Sequence, residues 1–305
     1  MRAYIISLNS ATDARNKSLS DLLVRNGFAP HFVTAIRGST LDASIYFSSV
    51  QSYFWSKQRL MTPSELGCAL SHVKAHEAFL RTGDSAGLFL EDDVILDDAG
   101  CANIKRLAQT RVPENGLVHL GGLEGISPAL KYLRGQLVQE DPKLFKIEAY
   151  DLGLLTRMAG YMIAPPTASK LRDAISQAPF VIDDFRYMKR NIGISDFYFS
   201  NIVEHPEHLS HSSIEPERAL MWASPAYANN IWGLRAAVER SLRFRLDTLT
   251  CDLKRLTNMR RTVRIFVQEN VHADQTPTES QNPSNRRTRK SRLEGETNDR
   301  SATHG

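Results

Sequence analysis

Cysteine is scarce in this 305-residue chain: Cys68, Cys101 and Cys251 are its three, far apart and without Cys-x-x-Cys spacing. That argues against a disulfide-stapled fold and an all-cysteine zinc site. No apolar run approaches the roughly 18–20 residues that cross a bilayer. The opening apolar stretch, Tyr4-Ile5-Ile6, meets Asn9 and Asp13 almost at once, too soon for a secretory leader, so the expected location is cytoplasmic. Gly-x-Gly-x-x-Gly and Gly-Lys-Ser/Thr are both missing, which removes the best support for dinucleotide-binding and ATPase readings. There is no internal repeat.

Excess charge of one sign is also missing over most of the chain. The net charge is +4, yet residues 235–264 alone carry +6, with nine Lys/Arg against Glu239, Asp247 and Asp252. Residues 265–305 balance to zero, which leaves the first 234 residues at −2. A near-neutral body does not read as a nucleic-acid surface, so no nucleic-acid partner is expected. With 42% hydrophobic and 24% charged residues, wholesale disorder is ruled out and one large domain can bury a core.

Residues 3–8 suit a buried strand. Asp13 can cap a helix carrying Leu19, Leu22 and Leu23, with Gly27 as its stop, and residues 31–35 read as a second strand. Strand, helix, strand with short links favours a parallel pairing with a right-handed crossover. Residues 39–60 lack a clean period and read as loop with short helical pieces. Thr62-Pro63-Ser64-Glu65 is a helix start, with Thr at the cap, Pro at the first position and Glu three residues after the cap. That helix should run to about residue 81. Strands are expected at 87–90, 117–120, 143–147 and 160–164, and helices at 97–109, 167–178 and 196–203. Leu242, Leu246, Leu249, Leu253 and Leu256 mark an amphipathic basic helix. The Thr/Ser/Asn/Pro-rich residues from 271 onward read as disordered. The expected organisation is therefore a main domain (1–232), a basic helical extension (233–270) and a tail (271–305).

Glu91-Asp92-Asp93 directly follows the apolar strand 87–90, where open α/β sheets bind ligands. Three adjacent carboxylates repel one another, a divalent cation relieves that repulsion, and hard oxygen donors suit magnesium or manganese. His72 and His76 share one helix face, but the Glu of His-Glu-x-x-His is absent from His72-Val73-Lys74-Ala75-His76. Structural or substrate-contacting histidines are favoured over a His–His zinc pair. Among His205, His208 and His211, one could complete a metal site. Asp183-Asp184 could supply a general base, with Asp196 as a rival. Asn9-Ser10 and Arg15, at a strand end and a first helical turn, could meet a nucleotide phosphate.

Met61-Thr62-Pro63-Ser64-Glu65-Leu66-Gly67-Cys68-Ala69-Leu70-Ser71-His72, followed by Leu88-Phe89-Leu90-Glu91-Asp92-Asp93-Val94, resembles glycosyltransferase family 25. This is the lipopolysaccharide/lipooligosaccharide galactosyltransferase group. The opening Tyr4-Ile5-Ile6-Ser7-Leu8-Asn9 with Arg15 looks like its start. Ala35-Ile36-Arg37-Gly38 resembles an element in which Arg37 replaces the usual Asp. Gly160-Tyr161-Met162-Ile163 and Asp183-Asp184 match later elements loosely. The resemblance covers roughly residues 1–215. It implies a GT-A-like α/β fold, a Rossmann-type mixed sheet flanked by helices, that binds a UDP-sugar with manganese or magnesium. It further implies inverting transfer, with galactose as the usual sugar, onto a lipid-linked oligosaccharide acceptor. Asp93, Asp92 and His205 are the expected metal residues. Leu8, Asn9, Arg15, Arg37, Glu65, Ser71, His72, Glu91 and Asp92 are expected near substrate, and Asp184 is the expected base, with Asp183 and Asp196 as alternatives. The basic segment is expected to touch anionic inner-membrane lipid. Two rival readings are a metal-dependent phosphohydrolase or nucleotidyltransferase, and an inactive UDP-sugar-binding member.

Overall fold

The computed structural model describes residues 1–57, 59–110, 112–124, 132–149, 151–206, 212–223 and 262–266. The first half alternates β1 (Arg2–Ser7), α1 (Ala14–Arg25), β2 (Ala29–Thr34), α2 (Ala43–Lys57), α3 (Pro63–Leu80), β3 (Gly87–Glu91), α4 (Asp98–Thr110) and β4 (Gly116–Gly121). There follow β5 (Tyr132–Glu140), β6 (Lys143–Ile147), β7 (Gly160–Ile163), α5 (Pro165–Gln177), the short α6 (Phe185–Tyr187), β8 (Asp196–Val203), α7 (Ile214–Ala223) and β9 (Thr262–Phe266). The strands form one mixed sheet in the order β2-β1-β3-β7-β4-β8-β6-β5-β9. β1 pairs in parallel with both β2 and β3, and β4 with β8, while β7 runs antiparallel between β3 and β4.

Alternation along the central strands divides the core into two layers. Ala3, Ile5, Leu88, Leu90 and Met162 pack with Leu19, Leu22 and Leu23 of α1 and Cys101, Ile104 and Leu107 of α4. Tyr4, Phe89 and Tyr161 face the other way and pack with α3 and α5. These three rings stack across adjacent strands, with centroids 5.1 Å and 4.9 Å apart, because strand register sets Tyr4 beside Phe89 and Phe89 beside Tyr161. Both faces of the sheet are covered, which is why these strands read as unbroken apolar runs.

Helix α3 begins as its sequence dictates. Thr62 accepts from the Glu65 amide at 3.2 Å and Glu65 accepts from the Thr62 amide at 2.8 Å, a complete capping box with Pro63 at the first position. The helix then lies backbone to backbone on the turn after β2: a Cβ at Gly67 would stand 2.5 Å from the Ile36 carbonyl oxygen, and one at Gly38 would stand 2.0 Å from that of Pro63.

Several expectations need correction. Residues 43–57 form a continuous helix, not loop; Asp42 receives the Ser44 amide at 2.8 Å, and only Val50 and Tyr53 are buried. So narrow a contact leaves no apolar stripe to read. Residues 196–203 form strand β8, not a helix. Phe197 and Phe199 enter one core layer while Tyr198 and Ile202 pack on the other, so aromatics on both faces mask the period of two. β5 was not expected, and Thr262–Phe266 pairs with it as a strand inside the segment read as helical. The leucine stripe at 242–256 and the tail from 271 lie outside the described residues. Among the described residues no helix is long and apolar enough to cross a membrane.

Replacing Gly67 with Ala should cost about 2 kcal/mol or more, because backbone rather than a flexible side chain blocks the new methyl. Urea denaturation would measure it, and a loss under about 0.5 kcal/mol would contradict the close approach.

Candidate active site

The chain leaves β1 for β2 on one side and returns to β3 on the other, so a crevice opens beyond the carboxyl ends of β1 and β3. A cleft of about 590 Å³ lies there. Strand register brings Ile6 beside Glu91, which places Ser7 against the acidic triplet. Ser7 Oγ donates to Asp92 and accepts from the Asn9 amide at 3.0 Å and from Asn16 Nδ2 at 2.9 Å. Asn16 is fully buried at the start of α1. Asp92 is thereby tied to β1, and burial pushes its carboxyl above the ordinary range despite the Ser7 bond.

Asp93 and His205 face each other, with His205 Nε2 3.1 Å from Asp93 Oδ2. His205 Nδ1 lies 2.9 Å from the Pro206 carbonyl and its amide donates to Glu124 at 2.9 Å. Burial opposes charge on both groups, yet the pairing wins: the imidazole is held above its usual value and the carboxyl below its own. Asp93 Oδ1 is buried with no hydrogen-bond partner. Ligand atoms of Glu91, Asp93 and His205 lie within 4.8 Å of one another. Two carboxylates, one of them with an orphaned buried oxygen, and one imidazole fit a divalent cation.

The cleft brings together Leu8, Asn9, Arg15, Arg37, Glu65, Ser71, Glu91, Asp92, Asp93, Asp183 and His205 from six separate stretches of chain. His72 stands just behind it, 1% exposed, with Nε2 3.7 Å from Glu91 Oε1. Its Nδ1 and the Nε2 of His76 each lie 2.8 Å from the Tyr161 hydroxyl, so these two rings converge on a tyrosine rather than on a shared metal. Ser71 donates to the Gly67 carbonyl at 2.6 Å and receives the Ile36 amide at 2.8 Å. His208 and His211 lie outside the described residues.

Glu65 is a hub. Its side chain is 1% exposed, pairs with Arg59, and accepts from Arg218 Nε at 2.6 Å. Burial alone would raise its pKa, but the two guanidiniums hold it below the ordinary value. Glu217 receives the Ser64 amide and hydroxyl, both at 2.8 Å, so α7 is fastened to the start of α3 along one wall of the cleft.

The three base candidates separate. Asp183 lines the cleft and also an adjoining cavity of about 480 Å³. It receives the Arg157 amide at 3.1 Å, and burial pushes its pKa up against that bond and the nearby Arg218. Asp184 lines only the adjoining cavity, caps α6 by accepting from Tyr187 at 2.9 Å, and pairs with Lys57 at 2.6 Å. Asp196 sits at the amino end of β8, paired with Lys146 at 2.6 Å and level with Gly116. That is the opposite end of the parallel strands from the cleft, so the expectation that Asp196 could act there is corrected.

A family model described as glycosyltransferase family 25 (LPS biosynthesis protein) matches residues 1–186. The chain belongs to glycosyltransferase family 25. It is a transferase of the lipopolysaccharide-biosynthesis kind, working between a sugar donor and a glycan acceptor. The match includes the acidic triplet, the α3 start and Asp183. His205 and all of α7 lie beyond it. No curated protein sequence matches the chain. Among solved structures, a UDP-glucose pyrophosphorylase complexed with UDP-glucose is 10% identical, with TM-score 0.38, over 72% of this chain and 97% of its own. A mannose-1-phosphate geranyltransferase from Thermus thermophilus is 10% identical, with TM-score 0.33, over 67% and 74%. An inositol-1-phosphate CTP transferase from T. maritima is 8% identical, with TM-score 0.35, over 73% and 96%. Likenesses this weak carry no argument about activity.

In this family-25 chain, the cleft residues that the sequence did not single out include Arg157, Arg218 and Cys68. Arg157 carries no motif; its mark is structural, a non-glycine residue at φ 61° whose guanidinium donates to the Gly122 and Glu124 carbonyls at 3.1 and 2.6 Å. Cys68 had a readable signal, four residues before His72 on one helix face.

Glu65→Ala should destabilise the protein by about 3–5 kcal/mol at pH 7, because it strands Arg59, leaves Arg218 with Glu215 as its remaining ion-pair partner and opens the capping box. A carboxyl held low when folded stabilises above its unfolded pKa of about 4.3 and loses that stabilisation as pH falls through the folded value. The gap between wild type and variant in denaturation midpoints should therefore narrow below about pH 4.

Proposed function

We propose that the chain is a divalent-metal-dependent, inverting glycosyltransferase that moves galactose from a UDP-sugar onto a lipopolysaccharide or similar surface-glycan acceptor. The observation that carries this reading is the pairing, in one cleft, of Asp93's orphaned buried oxygen beside Glu91 and His205 with an Asp183 whose charge is disfavoured. Asp93, Glu91 and His205 would hold manganese or magnesium. That ion supplies electrostatic stabilisation of the diphosphate leaving group.

The remaining work falls to the chain. Asn9 and Arg15, past the carboxyl end of β1, offer donors and positive charge to the donor's nucleotide portion, and Arg157 offers the same deeper in the cleft. Arg37, a cation lining the same cleft, would favour phosphate or a base carbonyl over a ribose hydroxyl. Asp183 borders both the cleft and the adjoining cavity, which supports its assignment as the residue between donor and acceptor. There it takes the proton of the acceptor hydroxyl as that oxygen bonds to the anomeric carbon and the bond to UDP breaks. One displacement inverts the configuration. Asp184, occupied by Lys57 and by its cap, holds the loop that presents Asp183. The +6 segment at 235–264 would bring the enzyme to anionic lipid bearing the acceptor.

UDP-galactose turnover by purified protein, with and without manganese, tests this reading. Asp93→Ala should abolish the metal-dependent release of UDP. Asp183→Asn should lower kcat about 10²–10⁴-fold with UDP binding retained, and thermal stability at pH 7 should hold or rise because a disfavoured charge is gone. Wild-type kcat should climb with pH through a value above the usual aspartate value of about 3.9. An undiminished kcat in Asp183→Asn would return the base role to Asp184. Hydrolysis of simple phosphoesters without sugar transfer would favour the phosphohydrolase or nucleotidyltransferase, and UDP binding without any transfer would favour an inactive member. Neutralising Arg243, Arg245, Lys254 and Arg255 together should release the protein from anionic vesicles in a sedimentation assay; undiminished binding would end the lipid reading.

A further inference from the structure

We propose that Cys68, His72 and Glu91 form a second, softer cation site, suited to zinc, which shares Glu91 with the hard site around Asp93. The inference goes beyond the transferase reading and does not depend on it.

Cys68 and His72 are four residues apart on α3 and therefore share a face. That face meets the end of β3, where Glu91 projects into the same cleft as Cys68. One donor atom from each of the three lies within 4.8 Å of the others, and His72 Nε2 is 3.7 Å from Glu91 Oε1. Bonds of about 2.0–2.3 Å at tetrahedral angles put donor atoms roughly 3.3–3.8 Å apart, so small side-chain rotations would close the site.

His72 supplies an independent observation. It is 1% exposed, and its Nε2 is buried without any hydrogen-bond partner. A buried imidazole nitrogen left unpaired costs free energy that a ligand would recover. The other side of the ring is already braced. His72 Nδ1 and His76 Nε2 both lie 2.8 Å from the Tyr161 hydroxyl, which has a single proton to give. In one arrangement His72 Nδ1–H donates to Tyr161 and Tyr161 donates to His76, leaving His72 Nε2 as a bare lone pair. In the other, every donor and acceptor along the chain is reversed. A cation at Nε2 selects the first arrangement, with the outer N–H held by a fixed acceptor as metal-bound histidines generally require.

Thiolate, imidazole and one carboxylate form a borderline-soft set that suits zinc over magnesium. On binding, the Cys68 thiol gives its proton to solvent and its sulfur bonds to the cation. With three protein donors, a fourth position remains on the cleft side. Glu91 belongs to both candidate groups, so a zinc ion here would draw it away from Asp93 and His205 and oppose loading of the hard site.

Cobalt(II) titrated into the metal-free full-length protein tests the site, because a cobalt–thiolate bond absorbs in the near ultraviolet. The expected result is a band that saturates at one equivalent and is displaced by zinc. It should disappear in Cys68→Ser and persist in Asp93→Ala and in a Cys101→Ser/Cys251→Ser double variant. Tyr161→Phe should weaken cobalt binding about 10-fold or more. No band in the wild type, a band that survives Cys68→Ser, or a band lost in Asp93→Ala would each overturn the proposal. Circular dichroism checks that the variants fold. Without any variant, zinc should slow alkylation of Cys68 in the wild type, read by peptide mass, and equal rates with and without zinc would also overturn it.

Discussion

Helix α3 is covered along most of its length, and each polar side chain buried with it draws at least one partner from elsewhere. Glu65, Ser71, His72 and His76 are each buried on a helix otherwise lined by Leu66, Ala69, Val73, Ala75 and Phe79. Their partners come from outside the helix: Arg59 and Arg218 for Glu65, the Ile36 amide for Ser71, and the Tyr161 hydroxyl for both histidines. Each requirement pins another element in place. The two arginines tie the chain before α3 and helix α7 to one carboxylate. Ser71 and the close contact at Gly67 fix the turn after β2, and Tyr161 fixes the antiparallel strand β7. The floor and two walls of the cleft are therefore by-products of satisfying a buried helix.

The acidic triplet shows how one local sequence is divided by its surroundings. Asp92 is held by Ser7, whose hydroxyl is itself fixed by Asn16 and the Asn9 amide, so it braces β1 against β3. Asp93 turns to His205, at the end of the sequence that forms β8. Glu91 lies between His205 and the Cys68–His72 face, with Oε1 3.7 Å from His72 Nε2. Three adjacent like charges stay tolerable because one is spent on structure, one on an imidazole, and one remains half-exposed.

Much of this was legible from local patterns because local physics decides it. The Thr62-Pro63-Ser64-Glu65 start, the apolar run into Glu91, and the strand–helix–strand opening are short-range statements, and all were observed. The misreadings share one cause. Helix α2 buries too little, and β8 buries both faces, so neither displays the periodicity that would identify it. Arg157 and Arg218 were beyond reach for a different reason: each gains its meaning from residues 26 to 153 positions away. Asp183 and Asp184 are told apart for the same reason. Adjacent aspartates look equivalent until Lys57 and a helix cap occupy one of them.

That last distinction bears on how the site can work. A carboxylate whose charge is disfavoured gains more than an ordinary one by accepting a proton. Asp183 is of this kind because burial outweighs both the amide that Arg157 delivers from its left-handed backbone and the nearby Arg218, each of which favours the charge. Were Arg218 released from Glu65 to pair directly with Asp183, the charge on that carboxylate would be stabilised further. The buried cluster that anchors α3 therefore also bears on the proton affinity of Asp183, after burial itself, so the two are linked through a single glutamate.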